Sequence, residues 1–275
     1  MVRTAILTGA WGPARELAAQ VAARLGADGW TVRPSGPHPV VSPEADDPRL
    51  AGYVDGDLRD EAFAASLLAD LPPGGHAVVV HLAPLVPVAD VAYGHQPAPL
   101  VEALDVATRG TYVLYKACLV AGVGTAVQAS SLSSMDAYDD GLEVTEQWRP
   151  RPAPTAMDLA PHLCETVARE FTRDPLVDQP MAITCLRLAS LLDGAPGDEA
   201  GAPVGDPRAM WVADAAEAVV RAIAARASGD RRADRGWRWR LLHVASGAPE
   251  ARFTSAVAHA TIGYRPAIRS AEVVR

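Results

Sequence analysis

Lysine is almost absent from this 275-residue chain, and its net charge is negative. Lys116 is the only lysine, so arginine supplies nearly all of the positive charge, and alanine is abundant. That bias is typical of proteins from GC-rich genomes, so the arginine content alone does not indicate a function. The net charge of −8 and the pI near 5.4 argue against a general nucleic-acid binder.

Cysteine and long apolar runs are also scarce. Cys118, Cys164 and Cys185 stand far apart without a CxxC spacing, as expected of reduced thiols in the cytoplasm. No apolar run reaches the ~20 residues that a membrane span needs. The first residues, MVRTAILTGAWG, lack the long apolar stretch and the cleavage site of a signal peptide. We therefore expect a cytoplasmic protein that neither enters a membrane nor binds nucleic acid.

Short apolar runs alternate with longer segments of helical periodicity along the whole chain. We predict strands at 4–8, 30–33, 53–54, 77–82, 125–129, 182–188 and 241–244. We predict helices at 13–25, 60–71, 100–121, 158–172 and 212–227, and loops at 34–49, 193–208 and 228–236. This alternation indicates an α/β doubly wound domain, with a parallel sheet covered on both faces and ligands bound at the carboxyl ends of its strands.

Short motifs follow the predicted strands in a fixed order. The first is a glycine-rich turn that opens the first helix, where backbone N–H groups can approach a pyrophosphate. The set comprises TGAWGPAR (8–15), GDLRD (56–60), HLAP (81–84), ASSLSS (129–134), LRL (186–188), WVADAAEAV (211–219) and IGYRP (262–266). In order and spacing it resembles the extended short-chain dehydrogenase/reductase family, the NAD-dependent epimerase/dehydratase group.

The resemblance implies one NAD(P)-binding Rossmann-type domain over 1–275. A small C-terminal substrate cap would be drawn mainly from 189–210 and 228–275, because the segment before WVADAAEAV is short for the family. It also implies a small-molecule ligand, which the sequence does not identify. Family members often pair the helices after the fourth and fifth strands, so we expect a homodimer. Its apolar candidates are Tyr112, Tyr115, Val120, Leu163, Val167 and Phe171.

The resemblance implies a site for NAD or NADP. The family turn reads TGxxGxxG, and Arg15 stands at its third glycine, where it could pair with phosphate or fill the groove. Asp57 and Leu58 would flank the adenine ring. The residues expected at this site are Gly9, Ala10, Trp11, Gly12, Arg15, Asp57, Leu58, His81, Leu82 and Ala83, the last three lining the ribose and nicotinamide side. Two structural alternatives stay open: a plain strand-to-helix turn for the glycines, and a helix cap for Asp57.

A literal Tyr-x-x-x-Lys, the catalytic spacing of the family, runs from Tyr112 to Lys116. It follows the fourth predicted strand, whereas the family motif follows the fifth, and no serine occurs between Ser66 and Ser130. The surrounding helix has an apolar stripe. We therefore interpret Tyr112 and Tyr115 as packing residues, at a subunit interface in the dimer.

At the position of the family motif, alignment on Glu165 puts Met157 in place of tyrosine and Pro161 in place of lysine. Neither side chain can transfer a proton or hold a ribose, so we predict weak or absent dinucleotide binding and no hydride transfer. We expect Asp158 to cap this helix and Pro161 to lie in its first turn. The acid that normally ends the second strand is also missing, since WTVRPSGPH offers only Arg33, Ser35 and Gly36.

Other groups could work in the same cleft. Ser131 and Ser133 lie at the end of the fifth strand, where they either bind a substrate oxygen or bond to backbone. Asp158 and His162 are four residues apart on one helix, so they form either an acid–base couple or a cap and a surface histidine. Histidines 76, 81 and 95 are too scattered to suggest a metal site. Three functions stay open: a non-redox enzyme, a ligand or dinucleotide sensor, and an oxidoreductase with a displaced acid.

Overall fold

Seven parallel strands form the central sheet, in the order β3-β2-β1-β4-β5-β6-β9. The computed structural model describes residues 2–36, 47–72, 74–85, 100–173, 180–193, 209–227, 238–246 and 252–266. The strands of this sheet are β1 Arg3–Thr8, β2 Thr31–Gly36, β3 Val54–Asp55, β4 His76–His81, β5 Thr125–Ser131, β6 Ala182–Leu188 and β9 Trp239–Val244. The order reverses between β1 and β4, which confirms the predicted doubly wound α/β fold.

Helices cover both faces of the sheet. They are α1 Arg15–Ala27, α2 Glu61–Leu67, α3 Leu100–Asp105, α4 Thr111–Val120, α5 Ala156–Phe171, α6 Val212–Ala227 and α7 Ala256–Ile262. The helices α1, α6 and α7 pack together on one face, while α2, α4 and α5 pack on the other. A π-helical turn, Val106–Gly110, joins α3 to α4, so the predicted helix at 100–121 is one stretch with an irregular centre.

Three elements were not predicted. Strands β7 Ser190–Leu192 and β8 Ala209–Trp211 pair as a separate two-stranded parallel sheet, and α7 ends at Gly263 in a left-handed conformation. The sequence signal for β7 and β8 is weak because each has only three residues. Residues 37–46, 194–208 and 228–237 lie outside the described residues, so most of the predicted loops and much of the predicted cap do too.

The helix that starts at Ala156 differs from its predicted form. Its N-cap is Thr155, whose hydroxyl accepts a hydrogen bond from the Asp158 backbone N–H at 3.3 Å, so Asp158 is not the cap. Pro161 is therefore the sixth helical residue and lies in the second turn, not in the first as predicted. At that position proline removes one helical hydrogen bond, and its buried ring packs inward.

The residues of the Tyr-x-x-x-Lys spacing occupy different environments on α4. Lys116 is exposed and pairs with Glu61 of α2 at 3.5 Å. Tyr112 is 51% exposed and packs one side of its ring on Phe171. Tyr115, by contrast, is fully buried and donates its hydroxyl hydrogen to the Gln128 side-chain oxygen at 2.8 Å. Tyr115 is thus a packing residue, as predicted, but it is not available to a subunit interface.

No helix among the described residues has the length and apolar character needed to cross a membrane.

The contrast between the two tyrosines gives a stability prediction. We expect Tyr115→Phe to lower the free energy of unfolding by about 1–3 kcal/mol, because it leaves the buried Gln128 oxygen without its donor. Tyr112→Phe, the matched control on the exposed side of the same helix, should change it by less than about 0.5 kcal/mol. Urea unfolding of the three proteins measures both values, and equal effects would contradict the assignment.

Candidate functional site

The glycine-rich turn lies at the carboxyl end of β1, beside the end of β4. Gly9 has a φ of 76°, and a Cβ at this position would lie 2.3 Å from the Ala83 backbone nitrogen. Only glycine therefore lets the two strand ends approach this closely, whether or not a ligand binds. Gly12 also has a positive φ, of 57°, and a short 3₁₀ turn then leads into α1. Glycines at these positions fit a phosphate-binding turn. The backbone conformation also favours glycine here, whether or not a ligand binds.

Arg15 is the first residue of α1, and its side chain turns toward the connection between β2 and β3. Its guanidinium lies 3.8 Å from the Asp47 carboxylate and is partly exposed. Arg49 binds the same carboxylate at 2.7 Å and pairs with Glu16 at 2.8 Å. These bonds hold the pKa values of Asp47 and Glu16 below their usual range. Arg15 therefore belongs to a network of paired charges at this end of the groove.

The end of β2 contains Ser35 and Gly36 and no acid, as the sequence indicated. Ser35 is buried and donates to the Leu7 carbonyl oxygen at 3.3 Å. A Cβ at Gly36 would lie 2.7 Å from the hydroxyl of Tyr53, a residue that the sequence analysis did not single out. Its signal was weak because Tyr53 precedes a strand of only two residues. The place of an acidic side chain is thus occupied by a phenol.

The predicted adenine residues have structural contacts of their own. The Asp57 carboxylate accepts hydrogen bonds from the Arg59 backbone N–H at 2.8 Å and from the Arg59 guanidinium at 2.6 Å. These bonds lower the pKa of Asp57. Asp60, not Asp57, caps α2. Leu58 is buried in the core beneath α4. Asp57 remains about half exposed, so its outer edge can still meet a ligand.

His81 is placed differently from its predicted role. It is fully buried, with Nδ1 2.8 Å from the Thr8 hydroxyl and Nε2 3.0 Å from the Thr111 hydroxyl. Thr111 uses its hydrogen on the Ala107 carbonyl, so His81 donates from Nε2 and accepts at Nδ1. Burial lowers its pKa to about 3, so the ring is neutral. The imidazole joins β1, β4 and α4 behind the cleft and does not line it.

Leu82 is also fully buried, whereas Ala83 is partly exposed. A ligand at this strand end would therefore meet the backbone near Ala83 and not the side chains of His81 and Leu82.

A buried ion pair positions α5 against the ends of β5 and β6. The Arg187 guanidinium donates to both Glu165 oxygens, at 2.7 and 2.6 Å, and the Ser130 hydroxyl donates to Glu165 at 2.5 Å. Burial alone would lower the pKa of Arg187, but the Glu165 bonds raise it above its usual value. All three residues are at most 5% exposed. Glu165 therefore faces β5 and β6, and the residues one and two turns before it share its face of the helix.

Those two residues are Pro161 and Met157, at spacings of four from Glu165. Residues at i, i+4 and i+8 share one face of a helix. Pro161 is buried and Met157 is 40% exposed. Along this face of α5, exposure therefore increases from Glu165 toward the start of the helix. Neither side chain offers a titratable group. This face of α5 thus carries a thioether and a pyrrolidine ring in line with Glu165.

A second buried ring extends the ion-pair cluster. His243 on β9 lies beside Arg187 in the sheet, with Nε2 3.5 Å from the guanidinium. Burial and the Arg187 charge lower its pKa to about 3. Glu146 accepts the backbone N–H of His243 at 2.9 Å and so ties the segment after β5 to β9. The sequence analysis missed this cluster because its members come from four separate elements, β5, α5, β6 and β9.

Arg252 also binds the segment that follows β5. It is 5% exposed and donates to the backbone oxygens of Met135, Asp136 and Tyr138, and to the Asp140 carboxylate at 2.9 Å. The Arg252 guanidinium therefore links several backbone oxygens of the loop that follows β5 and stabilises its conformation.

The remaining catalytic candidates have local partners. Ser131 caps the 3₁₀ turn after β5, accepting the Ser133 N–H at 3.1 Å and donating to the Ser133 hydroxyl at 3.0 Å. This is the backbone-bonding alternative left open by the sequence. The Asp158 carboxylate accepts the Thr155 hydroxyl at 2.7 Å, and within the described part of the chain it makes no bond to His162. The Asp158–His162 couple, one of the two alternatives left open by the sequence, is therefore not formed.

Across the described ranges, no group of three or more histidine, cysteine or acidic residues is arranged to hold a metal ion.

The solved structures that are similar to this chain over nearly its whole length include the following three. UDP-glucose 4-epimerase from Thermotoga maritima has a TM-score of 0.69 at 16% identity, covering 97% of this chain and 96% of its own. Glucuronic acid dehydrogenase from Chromohalobacter salexigens has 0.69 at 19%, covering 98% and 86%. MoeE5, solved with UDP-glucose and NAD, has 0.68 at 19%, covering 96% and 94%.

No family model and no curated protein matches the sequence. At these identities the solved structures establish the fold. The chain therefore has the Rossmann-type, doubly wound fold of these solved structures, as the motif order indicated.

The ion pair gives a second stability prediction. Arg187→Met should lower the free energy of unfolding by about 3–5 kcal/mol, because it leaves the buried Glu165 charge uncompensated. The double variant Glu165→Leu/Arg187→Met should recover much of that loss, since it removes both charges. Lys116→Met breaks the exposed pair with Glu61 and should cost no more than about 1 kcal/mol. Additive losses in the double variant, measured by urea unfolding, would refute the proposed coupling.

Proposed function

We propose that this protein binds an adenine dinucleotide weakly in the cleft at the carboxyl ends of β1, β4 and β5, and does not transfer hydride. The observation that carries the proposal is the face of α5 fixed by Glu165 and Arg187. Its positions nearest the cleft are Met157 and Pro161. A tyrosine and a lysine there would supply the proton and hold the nicotinamide ribose.

The binding half of the proposal rests on the glycine turn. Gly9 and Gly12 with the N-terminus of α1 fit the approach of a pyrophosphate, and the similar MoeE5 structure contains NAD. Arg15 departs from the family turn, and its guanidinium lies 3.8 Å from the Asp47 carboxylate. A bound dinucleotide would supply a redox ring, and this chain would hold its adenosine end more firmly than its nicotinamide end. Such a protein would act as a sensor or as a non-redox enzyme.

Titration calorimetry and nicotinamide absorbance test both halves. Wild type should bind NAD or NADP weakly and cause no absorbance change with a panel of alcohols, ketones and nucleotide sugars. Pro161→Lys should tighten binding by about tenfold, because it restores a charged donor to the ribose. Pro161→Ala, which relieves the helix without adding charge, should leave affinity nearly unchanged. Steady turnover by wild type, or no nucleotide binding by any variant, would overturn the proposal.

We also propose that two copies pair through the outer face of α4 and α5. Tyr112 and Val120 are 51% and 86% exposed there, and Leu163, Val167 and Phe171 are partly exposed. Apolar side chains at this density support association. The sole lysine, Lys116, lies on the same helix and pairs with Glu61.

Light scattering at micromolar concentration should therefore give twice the 28.8 kDa chain mass. Tyr112→Arg should shift the protein toward monomer, because it places a charge in the proposed contact. Val257→Arg on α7, where the valine is 42% exposed, is the matched control and should stay dimeric. A monomeric wild type would contradict this surface assignment.

A further inference from the structure

We propose that Tyr53 and Asp55 replace the acid that is missing from the end of β2. They would bind the ribose diol of an adenine dinucleotide that carries no 2′-phosphate. The inference rests on the proposed function, because it names the residues that select the ligand of the same cleft. It assigns to the third strand a role that the second strand has lost.

The position of the Tyr53 hydroxyl is the first observation. Gly36 ends β2 without a side chain, and a Cβ there would lie 2.7 Å from the Tyr53 oxygen. That separation is close to the reach of an acidic side chain from its own Cβ. The same Cβ would lie 3.5 Å from the Ala10 backbone nitrogen and 3.4 Å from the Trp11 Cβ. The phenol oxygen, the end of β2 and the glycine-rich turn therefore meet where an adenosine ribose would lie.

The register of the sheet supplies the second observation. β2 and β3 pair in parallel, with Gly36 directly beside Asp55. Directly paired residues point to the same face, and neighbouring strands lie about 4.8 Å apart. Asp55 therefore projects on the side that a Gly36 side chain would have used, one strand further out. It is exposed, whereas Tyr53 is half-buried.

Asp55 also acts on Tyr53 directly. Burial raises the pKa of the Tyr53 phenol, and the Asp55 charge raises it further. The phenol thus stays neutral and keeps its hydrogen, while the neighbouring carboxylate is an acceptor only. Together they offer one donor and several acceptors, which suits two adjacent ribose hydroxyls.

The charges around this point disfavour a 2′-phosphate. Such a phosphate carries roughly −1.5 to −2 charges at neutral pH and would face the Asp55 carboxylate. The arginines of β2, α1 and the connection from β2 to β3 are engaged elsewhere: Arg33 donates to the backbone of Ala69 and Asp70, Arg49 pairs with Glu16 and Asp47, and Arg15 faces Asp47. The geometry therefore favours a diol over a phosphate.

Titration calorimetry with ADP-ribose and 2′,5′-ADP tests the inference without any catalytic readout. Wild type should bind ADP-ribose more tightly than 2′,5′-ADP. Asp55→Asn should weaken ADP-ribose binding by about tenfold, because it removes charged hydrogen bonds to the diol, and should improve 2′,5′-ADP binding. Tyr53→Phe should weaken ADP-ribose binding by several-fold. Circular dichroism and thermal unfolding would verify that each variant is folded.

Asp70→Asn is the matched control, since it makes the same change of net charge far from the strand ends and asparagine tolerates the positive φ of 56° at that position. It should leave both affinities unchanged. If wild type prefers 2′,5′-ADP, or if the Asp55 and Tyr53 variants bind ADP-ribose as wild type does, this inference fails while the proposed dinucleotide binding stands. If neither nucleotide nor NAD or NADP binds wild type, both fail.

Discussion

The buried ion pair between Glu165 and Arg187 is the interaction on which the cleft depends. It joins α5 to β6, and Ser130 extends it to β5. A buried charge pair tolerates little displacement, because separating the charges exposes each of them to the cost of desolvation. The pair therefore fixes which residues of α5 lie over the strand ends. Two residues of that helix face, Pro161 and Met157, have side chains without a titratable group.

The two ends of the cleft differ in what they retain. Under the proposed function, Met157 and Pro161 offer a ligand only apolar contact at the nicotinamide end. At the adenosine end, the Tyr53 hydroxyl lies beside the end of β2 and the glycine-rich turn. This asymmetry is what a binding role requires, since the adenosine half of a dinucleotide supplies affinity and the nicotinamide half supplies reactivity. It is the basis of the proposed nucleotide-binding role, which includes no redox step.

Much of the fold follows from local pattern. The continuous apolar runs predicted β4 and β6 to within a residue, and the helix at 212–227 has the predicted bounds. Buried parallel strands and amphipathic helices have strong periodic signals, which explains this success. The N-cap of α5 was misplaced by three residues because both Thr155 and Asp158 suit a helix start. Strands β7 and β8 were missed because three residues are too few to show a period.

The candidate site could be described only from the sequence and the tertiary structure together. The sequence by itself determined the fold, the loss of the second-strand acid and the identities of Met157 and Pro161, because these follow from periodicity and motif order along the chain. Only the tertiary structure decided that His81 lies behind the cleft, that Asp158 and His162 do not pair, and that Tyr53 lies beside Gly36. Those outcomes depend on side chains from separate strands and helices meeting in space. Their positions are set by sheet register and burial, which no local pattern of residues encodes.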